Sequence, residues 1–235
     1  MLMSFMMIST TNKMVKNLEE IKKKIEEVDT LFFDLDGTII DTEKLYFRFW
    51  KEACLFYGFE MSDEQALAMR SRDRGSAKEF IETISNGKLD YVKTREKRTE
   101  LMEEYFKTHK RQIKPGIIEF LYKSRVNDKK LYIVTANTVE KTEAILRSLT
   151  LSKTFNGIIS ARDVERGKPF PFVYLKACQQ VNKNPSEVVV FEDSPNGLLS
   201  SFSAGCYTVM IEDMSPYTED MDYVDGVIES FFQLL

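Results

Sequence analysis

The chain of 235 residues is 43% hydrophobic and 30% charged, a balance that predicts a soluble globular protein with a sizeable core. A net charge of −4 argues against nucleic acid as a partner, and no apolar run approaches the roughly 20 residues of a membrane span. The single histidine, His109, excludes zinc or iron sites built from several histidines, so acid–base chemistry falls to carboxylates.

Residues 1–29 form an N-terminal extension in front of the first predicted strand. Its apolar residues recur at helical spacing among Lys and Glu and predict an amphipathic helix: Val15, Leu18, Ile21, Ile25 and Val28. The methionine-rich start lacks a basic region and a cleavage site, so it is not interpreted as a signal peptide. Widely separated cysteines in apolar or helical contexts favour a reducing, cytoplasmic location: Cys54, Cys178 and Cys206.

Short apolar runs along the chain predict buried β-strands: Thr30–Leu35, Lys130–Thr135, Gly157–Ser160, Glu187–Phe191 and Cys206–Ile211. Helical patterns lie between the later runs: Val139–Leu149, Phe172–Val181 and Pro195–Ala204. Strands that alternate with helices predict an α/β fold, with a doubly wound parallel sheet covered on both faces.

A long stretch without a convincing strand interrupts this alternation between Glu43 and Arg111. Its apolar stripes have helical spacing, and glycines punctuate them. The simplest interpretation is an all-helical domain of residues 44–112, inserted into a Rossmann-like core domain of residues 30–43 and 113–235. The chain then returns to the sheet near Pro115-Gly116.

Polar side chains follow the predicted strands at the points where the strands end. Asp34 and Asp36 follow the first strand, Thr135-Ala136-Asn137 closes the second, and Glu192-Asp193-Ser194 closes the fourth. Ligands of an open parallel sheet bind outside the carboxyl ends of its strands, so we expect these groups at one edge. Lys168, in the loop after the third strand, should lie near the same edge.

Four carboxylates in one small space need a neutralising cation, and Mg²⁺ accepts oxygen ligands while keeping places for water and a substrate phosphate. A lysine and a hydroxyl supply positive charge and a hydrogen bond for that phosphate. The inventory predicts phosphoryl transfer, for which an aspartate can be the covalent acceptor. Two alternatives remain for the single motifs: Asp34 and Asp36 as turn residues, and Glu192-Asp193-Ser194-Pro195 as a helix start.

Four segments resemble the motifs of the haloacid dehalogenase superfamily: Asp34-Leu35-Asp36-Gly37-Thr38, Thr135, Lys168-Pro169 and Glu192-Asp193-Ser194. The match covers about residues 30–211, and the helical insertion resembles the cap of the subgroup with β-phosphoglucomutase and phosphoglycolate phosphatase. The resemblance implies that Asp34 forms an aspartyl phosphate. It also implies that Asp36 protonates the leaving oxygen and then activates the next nucleophile.

The resemblance further implies a set of binding residues. Mg²⁺ would be held by Asp34, the carbonyl of Asp36, Glu192 and Asp193, with Glu192 as a ligand or as an acceptor behind the ligands. Phosphate oxygens would contact Thr135, the Ala136 N–H and Asn137, while Lys168 would bridge Asp34 and the phosphate.

The cap is expected to act as a lid that excludes water. The stretch that includes Asp41-Thr42 resembles β-phosphoglucomutase, and Thr42 is a candidate for binding the substrate. In the cap loop, Arg72 and Arg74 are further candidates, with a solvated loop as the equally weighted alternative.

The hinge side of the cap departs from the subgroup, because Tyr46 stands where a histidine is usual. This favours transfer of the phosphoryl group to water. The expected protein is therefore a Mg²⁺-dependent phosphohydrolase of a small phosphorylated metabolite such as a sugar phosphate, without membrane contact, and a monomer or weak homo-oligomer. A phosphosugar mutase and a non-catalytic binding protein on the same fold are the alternatives.

Overall fold

A parallel sheet organises one part of the computed structural model, which describes residues 18–70, 72, 74–214, 217–218 and 221–235. The strands are β1 (Thr30–Phe33), β2 (Lys130–Thr135), β3 (Gly157–Ser160), β4 (Val188–Glu192), β5 (Tyr207–Ile211) and β6 (Gly226–Ile228). Their order in the sheet is β3-β2-β1-β4-β5-β6, and every neighbouring pair is parallel. The predicted doubly wound α/β fold is confirmed.

The described chain divides into two compact units. The sheet unit comprises the described residues up to Ile39 together with those of Ile113–Leu235, and the helical unit comprises those of Ile40–Gln112. Across both, no described helix combines the length and the apolar character that a bilayer crossing requires.

The helices of the sheet unit are α1 (described over residues 18–27), α6 (Ile117–Val126), α7 (Val139–Ser148), α8 (Phe172–Gln180) and α9 (Pro195–Ser203). The last three end within one residue of their predicted ends. Residues 15–17 of the first predicted helix lie outside the described residues. Helix α6 and strand β6 were not predicted, and β6 has only three residues, too few to show a pattern.

Side chains on the two faces of the sheet enter different cores, because successive residues of a strand point to opposite faces. Phe32 packs with Val134 and Tyr174 in a cluster beneath α8. Phe33 stacks on Phe191 with their ring centroids 5.1 Å apart, and both rings contact Phe120 of α6. Burial on both faces explains why the strands read as continuous apolar runs rather than as alternating patterns.

The helical unit contains α2 (Glu43–Phe56), α3 (Asp63–Ala68), α4 (Arg74–Ile84) and α5 (Tyr91–Thr108), and its described residues include no strand. Its buried core comprises Trp50, Cys54, Met61, Ala66, Met69, Ala77, Ile81, Leu89 and Tyr91. Side-chain caps fix two helix starts, where Ser62 accepts from the Gln65 N–H and Asp90 accepts from the Lys93 N–H. The predicted all-helical insertion is therefore present.

Candidate active site

Three buried carboxylates meet at the carboxyl end of the sheet. Asp34 follows β1, Glu192 ends the neighbouring strand β4, and Asp193 comes next in the chain. Ligand oxygens of the three lie within 4.8 Å of one another, and their residues are 8%, 0% and 1% exposed. The parallel pairing of β1 with β4 thus brings together acids that are far apart in the sequence.

Lys168 is the cation of this cluster. Its Nζ donates to Asp34 Oδ1 at 2.6 Å, to the carbonyl of Val134 at 3.3 Å and to Glu192 Oε1. Burial lowers the pKa of Lys168, but the charges of Asp34 and Glu192 and their hydrogen bonds outweigh it, so the net pKa is raised. The lysine therefore stays protonated between its two carboxylate partners.

Among the contacts described for this cluster, buried carboxylates outnumber the basic side chains that touch them. Burial raises the pKa of Asp34 to about 8, although Lys168 acts to lower it and Glu192 adds to the rise. One lysine thus faces three buried carboxylates, and all their donor atoms are hard oxygens. This donor set fits a hard divalent cation such as Mg²⁺.

Glu192 is held by donors on both of its oxygens. Oε1 accepts from Lys168 and from the Tyr174 hydroxyl at 2.9 Å, and Oε2 accepts from the Ser194 N–H at 3.3 Å and hydroxyl at 3.2 Å. This pattern favours Glu192 as the acceptor that holds Lys168 rather than as a direct metal ligand. Ser194 also caps α9, because its side chain accepts from the Gly197 N–H, so the expected helix start is present in the motif that also supplies Glu192 and Asp193 to the cluster.

Two glycines let the backbone approach the carboxylates closely. A Cβ placed on Gly37, which has a φ of +86°, would lie 2.1 Å from Asp193 Oδ2. A Cβ on Gly197 would lie 2.0 Å from Glu192 Oε1. Neither distance leaves room for a side chain, so both positions depend on glycine.

A second group of side chains comes from the loop after β2. Asn137 Nδ2 donates to Asp36 Oδ2 at 2.6 Å, and the Asn137 N–H donates to Thr135 Oγ1 at 3.1 Å. Thr135 is buried, whereas Ala136 is exposed and its carbonyl accepts from Arg162 Nε at 3.1 Å. Asp36, the expected general acid, is therefore hydrogen-bonded to the loop that is expected to bind the phosphate.

The remaining predicted residues belong to the helical unit. Thr42 is buried before α2, and Arg72 is exposed, with its guanidinium 4.2 Å from the Phe80 ring centroid. The side chain of Arg74 lies outside the described residues. Near Thr42, the guanidinium of Arg98 lies 4.8 Å from the Tyr46 ring centroid.

Tyr174 was missed by the sequence reasoning. In the sequence, Tyr174 looks like one more residue of the apolar stripe of a helix. No local pattern indicates that its hydroxyl contacts Glu192, which belongs to a different element of the fold. Burial raises its pKa well above the usual value, and the charges of Glu192 and Asp34 add to this rise, so the hydroxyl remains a donor.

The arrangement can therefore hold an aspartate beside a fixed cation, with a second aspartate oriented by an amide. The model of the haloacid dehalogenase-like hydrolase family matches residues 31–211. A phosphorylated carbohydrates phosphatase from Thermotoga maritima is 30% identical over 184 residues, which cover 76% of this chain and 82% of the relative. Hexitol phosphatase A from Escherichia coli is 29% identical over 206 residues, which cover 86% of this chain and 91% of the relative.

Among solved structures, a β-phosphoglucomutase from Clostridium difficile shares the fold, with a TM-score of 0.73. Its identity is 22%, and the match covers 88% of this chain and 93% of that one. The fold, the motifs in their order and the matched residues agree with one another. The chain belongs to the haloacid dehalogenase-like hydrolase family.

Proposed function

We propose that the protein is a Mg²⁺-dependent phosphohydrolase that acts on a small phosphorylated metabolite, a sugar phosphate, through an aspartyl phosphate on Asp34. The observation that supports this most directly is the contact of Lys168 with Asp34 at 2.6 Å inside a buried acidic cluster. The names of the relatives, phosphatases of phosphorylated carbohydrates and of hexitols, support the class of substrate.

In the proposed first step, a carboxylate oxygen of Asp34 attacks phosphorus and the bond from phosphorus to the ester oxygen breaks. Asp36 gives its proton to the leaving oxygen, which departs as an alcohol. Lys168, the Thr135 hydroxyl and the Ala136 N–H stabilise the negative charge on the phosphoryl oxygens. Each of these groups belongs to the sheet unit.

In the proposed second step, the ionised Asp36 takes a proton from water while that water attacks phosphorus of the aspartyl phosphate. The acyl phosphate bond breaks, so Asp34 is regenerated and inorganic phosphate leaves. Lys168 keeps its contact with Glu192, which prevents it from drifting away when the charge of Asp34 changes.

Asp34, Asp193 and the carbonyl of Asp36 are the groups that would hold Mg²⁺, with Glu192 behind them as the acceptor for Lys168. When bound, the ion supplies positive charge that offsets the buried carboxylates and the phosphate. Thr42, Arg72 and Arg74 of the helical unit stay predictions for contacts to the rest of the substrate.

The test is a phosphate-release screen with Mg²⁺ against phosphorylated sugars, nucleotides and glycolytic acids, using the wild type and Asp34→Asn. We expect release from sugar phosphates by the wild type and loss of turnover, by at least about 1,000-fold, in the folded variant. Near-normal activity of the variant would refute the nucleophile. No release by the wild type from any ester would favour a non-catalytic binding protein.

The phosphosugar mutase is separated from the hydrolase by the acceptor of the phosphoryl group. Tyr46 supports hydrolysis, because it replaces the usual histidine of the mutase-like subgroup and its ring lies against Arg98. Partition of the phosphoryl group between water and β-glucose 1-phosphate measures the difference. Faster transfer to the sugar phosphate than to water would reject the hydrolase.

A further inference from the structure

The side chain of Asn137 donates a short hydrogen bond to Asp36, with Nδ2 and Oδ2 2.6 Å apart. We infer that Asn137 is a positioning residue that orients the Asp36 carboxyl group toward the leaving oxygen of the substrate. The inference rests on the proposed function, in which Asp36 exchanges a proton with that oxygen. It assigns Asn137 to the acid–base group rather than to the phosphate.

The donors of the Asn137 amide support this assignment. A side-chain amide nitrogen carries two hydrogens, and Nδ2 directs them to Asp36 Oδ2 at 2.6 Å and to Thr135 Oγ1 at 3.4 Å. Both partners are protein groups, so the amide nitrogen has no further hydrogen for a phosphate oxygen. The orientation is self-consistent, because an ionised carboxylate accepts hydrogen bonds and does not donate them.

The orientation of Asn137 is set before any substrate arrives. Its N–H donates to Thr135 Oγ1 at 3.1 Å, and its carbonyl accepts from Ser160 Oγ at 2.6 Å. Thr135 and Ser160 are both 1% exposed and are paired in register at the ends of β2 and β3. The bond to Asp36 is therefore attached to the rigid edge of the sheet.

Asp36 lies in a less enclosed position than Asp34. Asp34 is buried and contacts Lys168, whereas Asp36 is half-buried and follows β1 by three residues. An amide N–H can only donate, so the bond keeps Oδ2 as an acceptor and restricts the rotation of the carboxyl group that would exchange a proton with the leaving oxygen. A carboxyl group that rotates freely would point in the right direction for that exchange only part of the time.

The experiment compares kcat/KM for phenyl phosphate and p-nitrophenyl phosphate at saturating Mg²⁺. The two esters are similar in size, but p-nitrophenolate leaves readily without a proton, whereas phenolate depends more on a general acid. We expect Asn137→Ala to lower kcat/KM for phenyl phosphate by at least about tenfold more than for p-nitrophenyl phosphate. Asp36→Asn should change the ratio in the same direction and by more.

Asn156→Ala is the matched control. Asn156 Oδ1 accepts from the Leu131 N–H at 2.9 Å, at the opposite end of the same strand, so this variant also removes an asparagine that supports β2. Asn156→Ala should lower the thermal unfolding midpoint without changing the ratio of the kcat/KM values for the two esters. Asn137→Ser, which keeps a small polar side chain that is too short to reach Asp36, replaces Asn137→Ala if the alanine variant does not fold.

Three outcomes overturn the inference. If Asn137→Ala lowers kcat/KM equally for both esters, Asn137 acts on the phosphate and not on the leaving oxygen. If both kcat/KM values stay at the wild-type level, Asn137 has no role in orienting Asp36. A further change of ratio when Asn137→Ala is added to Asp36→Asn would show that the two residues act independently. If the wild type releases phosphate from these esters and from sugar phosphates at no measurable rate, the proposed function fails as well, whereas activity that Asp34→Asn abolishes keeps the proposed function intact in all three cases.

Discussion

Gly37 is a residue at which conformation and chemistry both depend on the absence of a side chain. Its φ is +86°, and a Cβ would lie 2.1 Å from Asp193 Oδ2. We expect Gly37→Ala to displace the Asp193 carboxylate and to lower kcat/KM by about 100-fold, because errors of roughly 1 Å in such sites have effects of that size. Steady-state kinetics and the affinity for Mg²⁺ measure the effect.

Gly58→Ala is the matched control for the backbone. Gly58 has a φ of +78°, but a Cβ there would meet no heavy atom within 4 Å. Both variants therefore carry the cost of a left-handed residue, about 1–2 kcal/mol, and only Gly37→Ala adds the collision. Equal activity of the two variants would contradict the role of the close approach to Asp193.

Single residues also show where reasoning from the sequence stops. Asp34, Asp36, Lys168 and Asp193 could be placed at one edge because each follows a strand, and parallel strands end together. The hydroxyl of Tyr174 could not be placed, since its contact with Glu192 depends on the rotation of α8 against the sheet. A sequence pattern reports the apolar stripe of a helix and not which polar atom at its margin meets an acid.

At the scale of elements, the position of the site depends on how β1 packs beside β4. Phe33 and Phe191 are paired in register, stack at 5.1 Å and immediately precede Asp34 and Glu192. We expect Phe191→Ala to lower the free energy of unfolding by about 3–5 kcal/mol, because the ring is fully buried and its removal leaves a cavity. Denaturant unfolding monitored by circular dichroism measures the change.

The control is Phe232→Ala, which removes a ring of the same size that is 55% exposed. Its cost should stay below about 1 kcal/mol, as is usual for surface positions. A small effect of Phe191→Ala would mean that the aromatic cluster does not hold the two strands together.

The elements differ in how well their sequence predicts them. Strands β1 to β5 are apolar on both faces, so their runs stand out against the charged helices. Strand β6 is three residues long and begins with Gly226, and short segments take their conformation from the neighbour they pair with. Helix α6 was missed because its exposed face carries apolar residues that blur the helical pattern: Ile118, Tyr122 and Val126.

At the scale of the whole molecule, the inserted helical unit and the sheet unit have separate buried cores. The described carboxylates of the candidate site and Lys168 all lie in the sheet unit. This separation explains why the reaction class could be predicted from motifs while the substrate could not. The motifs follow strands of fixed geometry, whereas Arg72 lies in the loop between α3 and α4 and Arg74 is the first residue of α4, where the sequence sets no such geometry.

The raised pKa of Asp34 predicts how the stability of the whole molecule responds to pH and to metal. Burial raises the pKa of Asp34 from its ordinary value of 3.8 to about 8, so without metal the folded state holds a proton that the unfolded chain releases. The resulting stability is complete below about pH 4 and is lost as the pH rises to about 8, by up to about 1.4 kcal/mol per pH unit. We therefore expect the unfolding midpoint in EDTA to fall across this window.

Mg²⁺ should reverse this trend, because a cation beside Asp34 favours its ionised form and binds only the folded state. The rise in unfolding midpoint on adding Mg²⁺ should thus be larger near pH 8 than near pH 5, measured by calorimetry with EDTA as the reference. Asp34→Asn has no titrating group at this position, so its midpoint in EDTA should vary less with pH over the same window. An equal rise at both pH values in the wild type would contradict the link between Asp34 ionisation and metal binding.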